Sequence, residues 1–351
     1  MGVRSAYAKA GVDLNLGNQV KATLPELLAS TQRPEVLGKV GGFGGLFAPN
    51  FAKFRKPVLV SSVDGVGTKL KVGFLTKKHD TLGEDLVNHC VNDILVLGAE
   101  PLFFLDYVGA GTLNPKTFED IIRGFARGCQ QNGCALIGGE TAQMPGFYQK
   151  GEYDVSGTIV GVVDRPRMVD GQATQAGDVI LGVASSGLHT NGYSLARKVL
   201  FDQAGLKPST RLAELGESVG SALMKVHLSY LKALHPLLKK HNQGRRPGIR
   251  AMSHITGGGF QDNIPRNLPA HLDAQIKLGT WDELPIFDYI ARAGKISRQE
   301  MFHVFNMGIG MTLTVDPAIA DGLIRSIKRK GHRSWIIGEV VPGSGVVTFV
   351  E

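Results

Sequence analysis

A two-domain protein passing from α/β to α+β is what this sequence predicts, on three grounds. Its 351 residues exceed one ordinary core and suit two units of roughly 150–200 residues each. Short β-branched runs alternate with amphipathic stretches, without the strict regularity of repeated βαβ units. Proline, glycine and polar residues gather at Asp164–Gly177, which sets a division into residues 1–170 and 171–351. With 43% apolar and 20% charged residues, the chain has material for two cores and a soluble globular profile.

Residues 1–40 are polar and mixed, with weak helical character around Asn18–Leu28 and Pro25 placed to open a helix. The cluster GGFGG (Gly41–Gly45) follows. Pro57–Val63 is short and β-branched and reads as a buried strand, broken at Asp64-Gly65-Val66-Gly67. From Glu84 to Leu97 the apolar residues Leu86, Val87, Cys90, Val91, Ile94 and Leu97 make one stripe of an amphipathic helix, which Gly98 ends. Asp85, Asn88, His89, Asn92 and Asp93 form the opposite, polar stripe. Leu102–Val108 reads as a buried strand interrupted by Asp106, and Thr117–Gln131 as a helix capped at Asn114. Ala135–Ile137 is a strand running into GGET (Gly138–Thr141), and Val155–Val163 is another strand.

Beyond the boundary, Asp178–Ala184 reads as a strand, followed by a polar loop and a helix from Tyr193. A longer helix is expected over Leu223–Lys240. HITGGGF (His254–Phe260) is a glycine loop entering a helical segment, and Met311–Val315, Ser334–Gly338 and Gly345–Phe349 are late strands.

Composition excludes several function classes. The formal charge is +8, but the basic residues are scattered and not interleaved with aromatics, as a strand-binding groove requires. A solvated basic surface that favours phosphorylated small molecules is the better account. Three cysteines make neither a disulfide framework nor a four-ligand zinc site. No run approaches the ~18 consecutive apolar residues of a membrane span, and no apolar signal core leads the chain, so a reducing cytoplasm is expected.

Five segments carry residues suited to chemistry. DGVGTK (Asp64–Lys69) sets a carboxylate at a strand end beside two glycines, a hydroxyl and a lysine. Such a set binds magnesium and brings backbone N–H groups to a phosphate, although an isolated D-G-x-G is more often a plain turn. The polar helix stripe lacks lysine and arginine, unlike most solvated faces, and follows closely on DGVGTK, so carboxylates from both would share a metal. GGET offers close backbone approach and a carboxylate. SSGLHTNGYS (Ser185–Ser194) is dense in hydroxyls and leads into a helix, whose N-terminus favours an anion. The three glycines of HITGGGF cost chain entropy unless the backbone must come close to something.

In this order, the blocks GGFGG, DGVGTK, VND (Val91–Asp93), GAEPLFFLDY (Gly98–Tyr107), GGETAQMPG (Gly138–Gly146), SSGLHTNGYS, HITGGGF and FNMGIGM (Phe305–Met311) resemble a known family. It is that of phosphoribosylformylglycinamidine cyclo-ligase, or aminoimidazole ribonucleotide synthetase, and the likeness runs from about Tyr7 to Val340. The resemblance implies a two-domain aminoimidazole ribonucleotide synthetase-like fold. Its N-terminal domain forms an intersubunit β-barrel in a homodimer, and its C-terminal domain is α+β. It also implies ATP-dependent cyclisation of formylglycinamidine ribonucleotide, with ATP and Mg2+ as cofactors and K+ left open; neither nucleic acid nor membrane is expected as a partner, on the composition given above.

Carried over residue by residue, the resemblance puts metal on Asp64, Asp93 and Glu140. It puts nucleotide on Gly44, Asp64, Gly65, Gly67, Thr68, Lys69, Asn92, Gly138 and Gly139. Substrate would lie by Glu140, Thr141, Ser186, His189, Asn191, His254, Thr256, Gly257 and Gly258, and the chemistry would fall to Lys69, Asp93 and His189. The sequence departs from the family pattern at residues 224–230, where Lys225-Val226-His227-Leu228-Ser229-Tyr230 keeps only the tyrosine, so no contact is carried over there. The competing reading is a non-catalytic nucleotide-binding paralogue, against which stands the intact set Asp64, Lys69, Asp93, Glu140 and His189.

Overall fold

The structure is a computed structural model that describes residues 6, 10, 24–38, 42–112, 114–244 and 246–351. Gly41 of GGFGG, most of the Tyr7–Asn18 stretch and the start of the Asn18–Leu28 helix lie outside the described residues. The end of that helix is present as α1 (Leu24–Ala29), with Pro25 in its first turn. A two-residue pair, β1 (Val36–Leu37) and β2 (Leu46–Phe47), follows it.

The first half is then built from β3 (Pro57–Gly65), α2 (Lys69–Thr76), α3 (Leu82–Leu95), β4 (Glu100–Ala110), α4 (Pro115–Asn132), β5 (Ala135–Gln143) and β6 (Tyr153–Asp164). The strands form one sheet in the order β3-β6-β4-β5, antiparallel except for the β4–β5 pair. Helices α3 and α4 cover one face of it. Leu86, Cys90 and Ile94 of α3 and Phe118, Ile121 and Phe125 of α4 are buried there with Phe104 and Ile159. The two helices cross at Gly83 and Gly124, where a Cβ on Gly83 would stand 2.3 Å from the Ile121 carbonyl oxygen. Asn114 caps α4 by accepting the Thr117 N–H at 3.1 Å.

Among the described residues, nothing covers the other face of this sheet at β3. Leu59 is 61% exposed and Val63 67%, so the strand expected to be buried at Pro57–Val63 is a sheet edge with one covered face. Two further expectations are corrected here. Asp106 does not interrupt β4, whose ladder runs through it, and GGET lies wholly within β5. A Cβ on Gly139 would sit 2.3 Å from Asp106 Oδ1, so that glycine makes room for a neighbouring side chain.

The second half comprises β7 (Val179–Ala184), α5 (Tyr193–Arg197) with a π-helical continuation to Gln203, the pair β8 (Arg211–Leu212) and β9 (Glu217–Ser218), α6 (Val219–Leu223) and α7 (Leu231–His241). Then come β10 (Ile249–His254), α8 (Gly259–Asn263), β11 (Leu272–Lys277), α9 (Pro285–Gly294), α10 (Arg298–Val304), β12 (Ile309–Val315), α11 (Pro317–Arg329), β13 (Ser334–Pro342) and β14 (Val347–Val350). Six of these strands form a sheet in the order β10-β12-β7-β13-β11-β14. Strands β10 and β11 are not among those the sequence predicts.

The single helix expected over Leu223–Lys240 is two helices, α6 and α7, joined by the irregular segment Met224–Tyr230. Its backbone groups bond to α3 instead of to a helix of their own. Asp85 accepts from His227 N at 2.7 Å, Asn88 donates to His227 O at 2.8 Å, and Asn92 spans Leu228 O and Tyr230 N at 2.8 and 3.0 Å. The polar stripe of α3 is thus the clamp that joins the two halves.

Candidate active site

A cleft of about 380 Å³ opens where β3 and α3 meet β10 and the turn that follows α8. Asp64 and Ser62 line it from β3, His89 and Asp93 from α3, and His254, Thr256, Asn263 and Arg266 from the second half. Asp64 is there because β3 ends at Gly65, and Asp93 because it lies one turn beyond His89 on the same helix stripe.

The two carboxylates converge on one imidazole. His89 Nε2 is 2.8 Å from Asp64 Oδ2 and 3.6 Å from Asp93 Oδ2. Burial disfavours charge on His89, but the hydrogen bond it donates to Asp64 and the charges of Asp93, Asp64 and Asp85 outweigh it and raise its pKa. Burial likewise works to raise Asp64, yet the hydrogen bond and charge of His89 hold its carboxyl below the ordinary value. Asp93 is lowered in the same way, with burial outweighed by His254, which approaches Asp93 Oδ1 at 2.8 Å through Nδ1, then by His89 and Ser62.

Behind this surface a hydrogen-bonded chain runs through the interior. His89 Nδ1 meets Thr190 Oγ1 at 2.8 Å, Thr190 Oγ1 meets His227 Nδ1 at 3.2 Å, and His227 Nε2 meets His254 Nε2 at 2.9 Å. With the Asp64 and Asp93 ends, five links join four intermediate groups. Both ends are acceptors and each neutral intermediate brings one proton, so filling every link needs one proton more. His89, flanked by both carboxylates, is the histidine whose charged form its surroundings favour. Burial pushes His227 and His189 well below the ordinary imidazole value. It lowers His254 too, with Asp93 opposing.

The expected site residues divide into three groups. Asp64, Asp93, His254 and Thr256 are together in the cleft. Gly257 and Gly258 belong to the loop beside it, which Asn263 holds by donating to the Thr256, Gly257 and Gly259 carbonyls at 3.3, 3.2 and 2.7 Å. Gly65, Gly67 and Thr68 continue from Asp64, and Thr68 Oγ1 reaches Ser194 Oγ at 3.0 Å, joining DGVGTK to the end of SSGLHTNGYS.

A second group is turned inward. Lys69, expected on phosphate, is wholly buried, 2.8 Å from Asp85 Oδ2 and donating to Lys225 O at 2.7 Å. Burial pushes Asp85 up to about 6 and Lys69 down, each restrained by the other's charge. Asn92, expected on nucleotide, is occupied with the clamp. His189 is 1% exposed, stacks on His227 with ring centroids 4.0 Å apart, and takes a left-handed φ of 61°. Ser186 N–H points to His189 Nε2 at 3.3 Å, and Asn191 donates to Thr190 Oγ1 at 3.5 Å, so this loop braces the histidine chain from behind.

The third group lies on the far edge of the first sheet. Gly65, Ser156, Tyr107 and Glu140 stand opposite one another across four strands. At about 4.8 Å per strand, Glu140 is therefore about 14 Å from β3. It also faces the other way: Asp64 is in register with Gly157, Asp106 and Gly139 on the helix side, whereas Glu140 is one residue out of that register. Glu140 cannot hold the same ion as Asp64 and Asp93 within one chain. Thr141, Gly138 and Gly139 share its strand, and Gly44 lines a separate hollow of about 420 Å³ against Ile137.

Sequence reasoning placed His89 on the right stripe without a role, and missed Arg266, Thr190 and His227. No spacing links Arg266 to Asp64, because a turn from the other half of the chain delivers it.

The chain matches the family models described as AIR synthase related protein, N-terminal domain, over residues 52–163 and AIR synthase related protein, C-terminal domain, over residues 175–351. It is 50% identical to the phosphoribosylformylglycinamidine cyclo-ligase of Geobacillus thermodenitrificans over 341 residues, 97% of both chains. That of Trichlorobacter lovleyi is 49% identical over 337 residues, 96% of this chain and 95% of the relative. In fold it is similar to thiamine-monophosphate kinase from Stenotrophomonas maltophilia, with a TM-score of 0.65 and 17% identity over 93% of this chain and 95% of that one. Hydrogenase maturation protein HypE in complex with ATP gives a TM-score of 0.64 at 14% identity, over 95% of this chain and 90% of that one.

Proposed function

The chain belongs to the phosphoribosylformylglycinamidine cyclo-ligase family, and on that premise we propose that it closes the imidazole ring of aminoimidazole ribonucleotide in de novo purine biosynthesis. ATP gives its terminal phosphoryl group to the formyl amide oxygen of formylglycinamidine ribonucleotide. The amidine nitrogen attacks that carbon, the carbon–oxygen bond breaks, and phosphate leaves with loss of a proton from nitrogen. The products are aminoimidazole ribonucleotide, ADP and phosphate.

The observation that carries this reading is the convergence of Asp64 and Asp93 on one cleft faced by Arg266 and Thr256 from the other half. Transfer between two anionic partners calls for positioning and charge neutralisation more than covalent help. Arg266 supplies a guanidinium fork for phosphate oxygens. Gly67 and Thr68, exposed and next along the chain from Asp64 and Gly65, are backbone that a phosphate could approach. The donor set of Asp64 and Asp93 is hard oxygen, which suits Mg2+, whereas the imidazoles behind it do not. Bound there, Mg2+ would neutralise phosphate charge. His89 and His254 hold the two carboxylates in place from inside.

Residues of the β5 edge, Gly138, Gly139, Glu140 and Thr141, together with Gly44, enter this proposal through a homodimer. The bare face carrying Leu59 and Val63 is the natural seam, and a site shared across it would bring in the far edge of a second copy. Residues 1–170 then form the dimerising domain and 171–351 the domain that completes the cleft. A reducing cytoplasm suits three free, buried cysteines, and no helix among the described residues is long and apolar enough to cross a membrane.

Asp64→Asn tests the metal and nucleotide half of this reading. Titration calorimetry with Mg-ATP should show affinity reduced by at least about 10- to 100-fold, the range that loss of even an outer-shell partner of a metal site produces. Unchanged affinity would remove Asp64 from that role.

A further inference from the structure

We propose that His227 is a positioning residue of the cyclo-ligase site, linking the Asp64 arm to the Asp93 arm through the interior. The proposal rests on the function given above. His227 belongs to Met224–Tyr230, the segment where the sequence leaves the family pattern. Its backbone is fixed at both polar atoms by α3, through Asp85 at 2.7 Å and Asn88 at 2.8 Å, and both of those side chains are buried. The ring therefore has little freedom, and both of its nitrogens are used.

Nε2 meets His254, whose other nitrogen holds Asp93, and Nδ1 meets Thr190, whose hydroxyl holds the His89 that pairs with Asp64. Asn92 Nδ2 also approaches His227 Nε2 at 3.2 Å. His189 stacks on the ring from the other side, the planes only 23° apart. That near-parallel stack argues against the alternative of a metal held by His189, His227 and His254. Ring lone pairs lie in the ring plane, and stacked planes do not converge on one ion, although the three ligand atoms lie within 4.8 Å of one another.

His227 is wholly buried and does not line the cleft, so it acts through His254 and His89. If the ring nitrogens are what matter, a ring without them must fail, and a side chain that restores the link to His254 must recover function. His227→Phe keeps the stack on His189 and loses both bonds. His227→Gln places an amide near the position of Nε2.

The test is a steady-state assay of imidazole product with both variants beside the unaltered chain, together with thermal midpoints and histidine-selective 15N NMR. The expected result is kcat lower by about 10- to 100-fold in His227→Phe, the range for groups that orient a reacting shell. KM for ATP should move less than kcat, and His227→Gln should recover most of the loss. Ring N–H signals shared within the chain should vanish in His227→Phe. Wild-type kcat in His227→Phe would overturn the inference, as would equal losses in both variants that track their thermal midpoints. An unaltered chain that makes no imidazole overturns the function instead.

Discussion

Burying Lys69 against Asp85 takes two charges out of water, and only their mutual attraction, with the bonds to Lys225 O and His227 N, makes that tolerable. Removing one partner leaves the other buried without its counter-charge, to be neutralised at a cost in free energy. Lys69→Met, which keeps the apolar stem, should therefore cost about 3–5 kcal/mol of stability, read from urea unfolding at neutral pH. A lysine serving phosphate would behave otherwise: stability would hold, and nucleotide affinity would fall. In the sequence, the carboxylate of DGVGTK at a strand end was legible, and the structure sets Asp64 at the end of β3 in the cleft. The direction of the lysine was not, since its partners Asp85 and Lys225 lie 16 and 156 residues away and no local pattern pairs them.

At the scale of elements, α3 and the segment Met224–Tyr230 form one unit that gathers buried imidazoles. Burial depresses His189 and His227 far below the ordinary value of 6.5, and His235 on α7 falls to about 4. Below about pH 6.5 the unfolded chain takes up protons that these folded sites refuse, so their contribution is full above that pH and falls as pH falls. His89, with its raised pKa, works the other way and offsets part of the loss. The histidines give acid destabilisation on the order of 1 kcal/mol for each of His189 and His227 between pH 7.5 and 5.5, opposed by Asp85 and Asp106, which burial pushes up to about 6 and about 7 and which take up protons in the folded state. Urea midpoints at the two pH values, for the unaltered chain beside His227→Phe, check the histidine share, and an equal pH response in both would contradict it. The helix of α3 was legible from its apolar stripe. The break between α6 and α7 was not, because Leu223–Lys240 has helical spacing throughout and only the side chains of α3 claim the backbone of 227–230.

At the scale of the whole molecule, the first sheet leaves Leu59 and Val63 uncovered among the described residues, and the expected site residues lie on its two edges. The homodimer proposed above would account for both. The unaltered chain should elute at twice its 37.6 kDa mass, and Leu59→Lys with Val63→Lys should elute as a monomer. A dimer unchanged by both substitutions would move the seam elsewhere. The α/β to α+β class followed from strand and helix alternation. Strand burial at Pro57–Val63 misled, because a β-branched run looks the same whether a helix or another subunit covers it.

The central claim is ring closure, and its most direct measurement is formation of aminoimidazole ribonucleotide by the purified chain from formylglycinamidine ribonucleotide with Mg-ATP. Parallel reactions replace the ribonucleotide with selenide or thiamine phosphate. The account predicts imidazole product with equal amounts of ADP and phosphate, and no turnover in the parallel reactions. ATP bound without imidazole formed, or turnover of one of the other substrates alone, would contradict it.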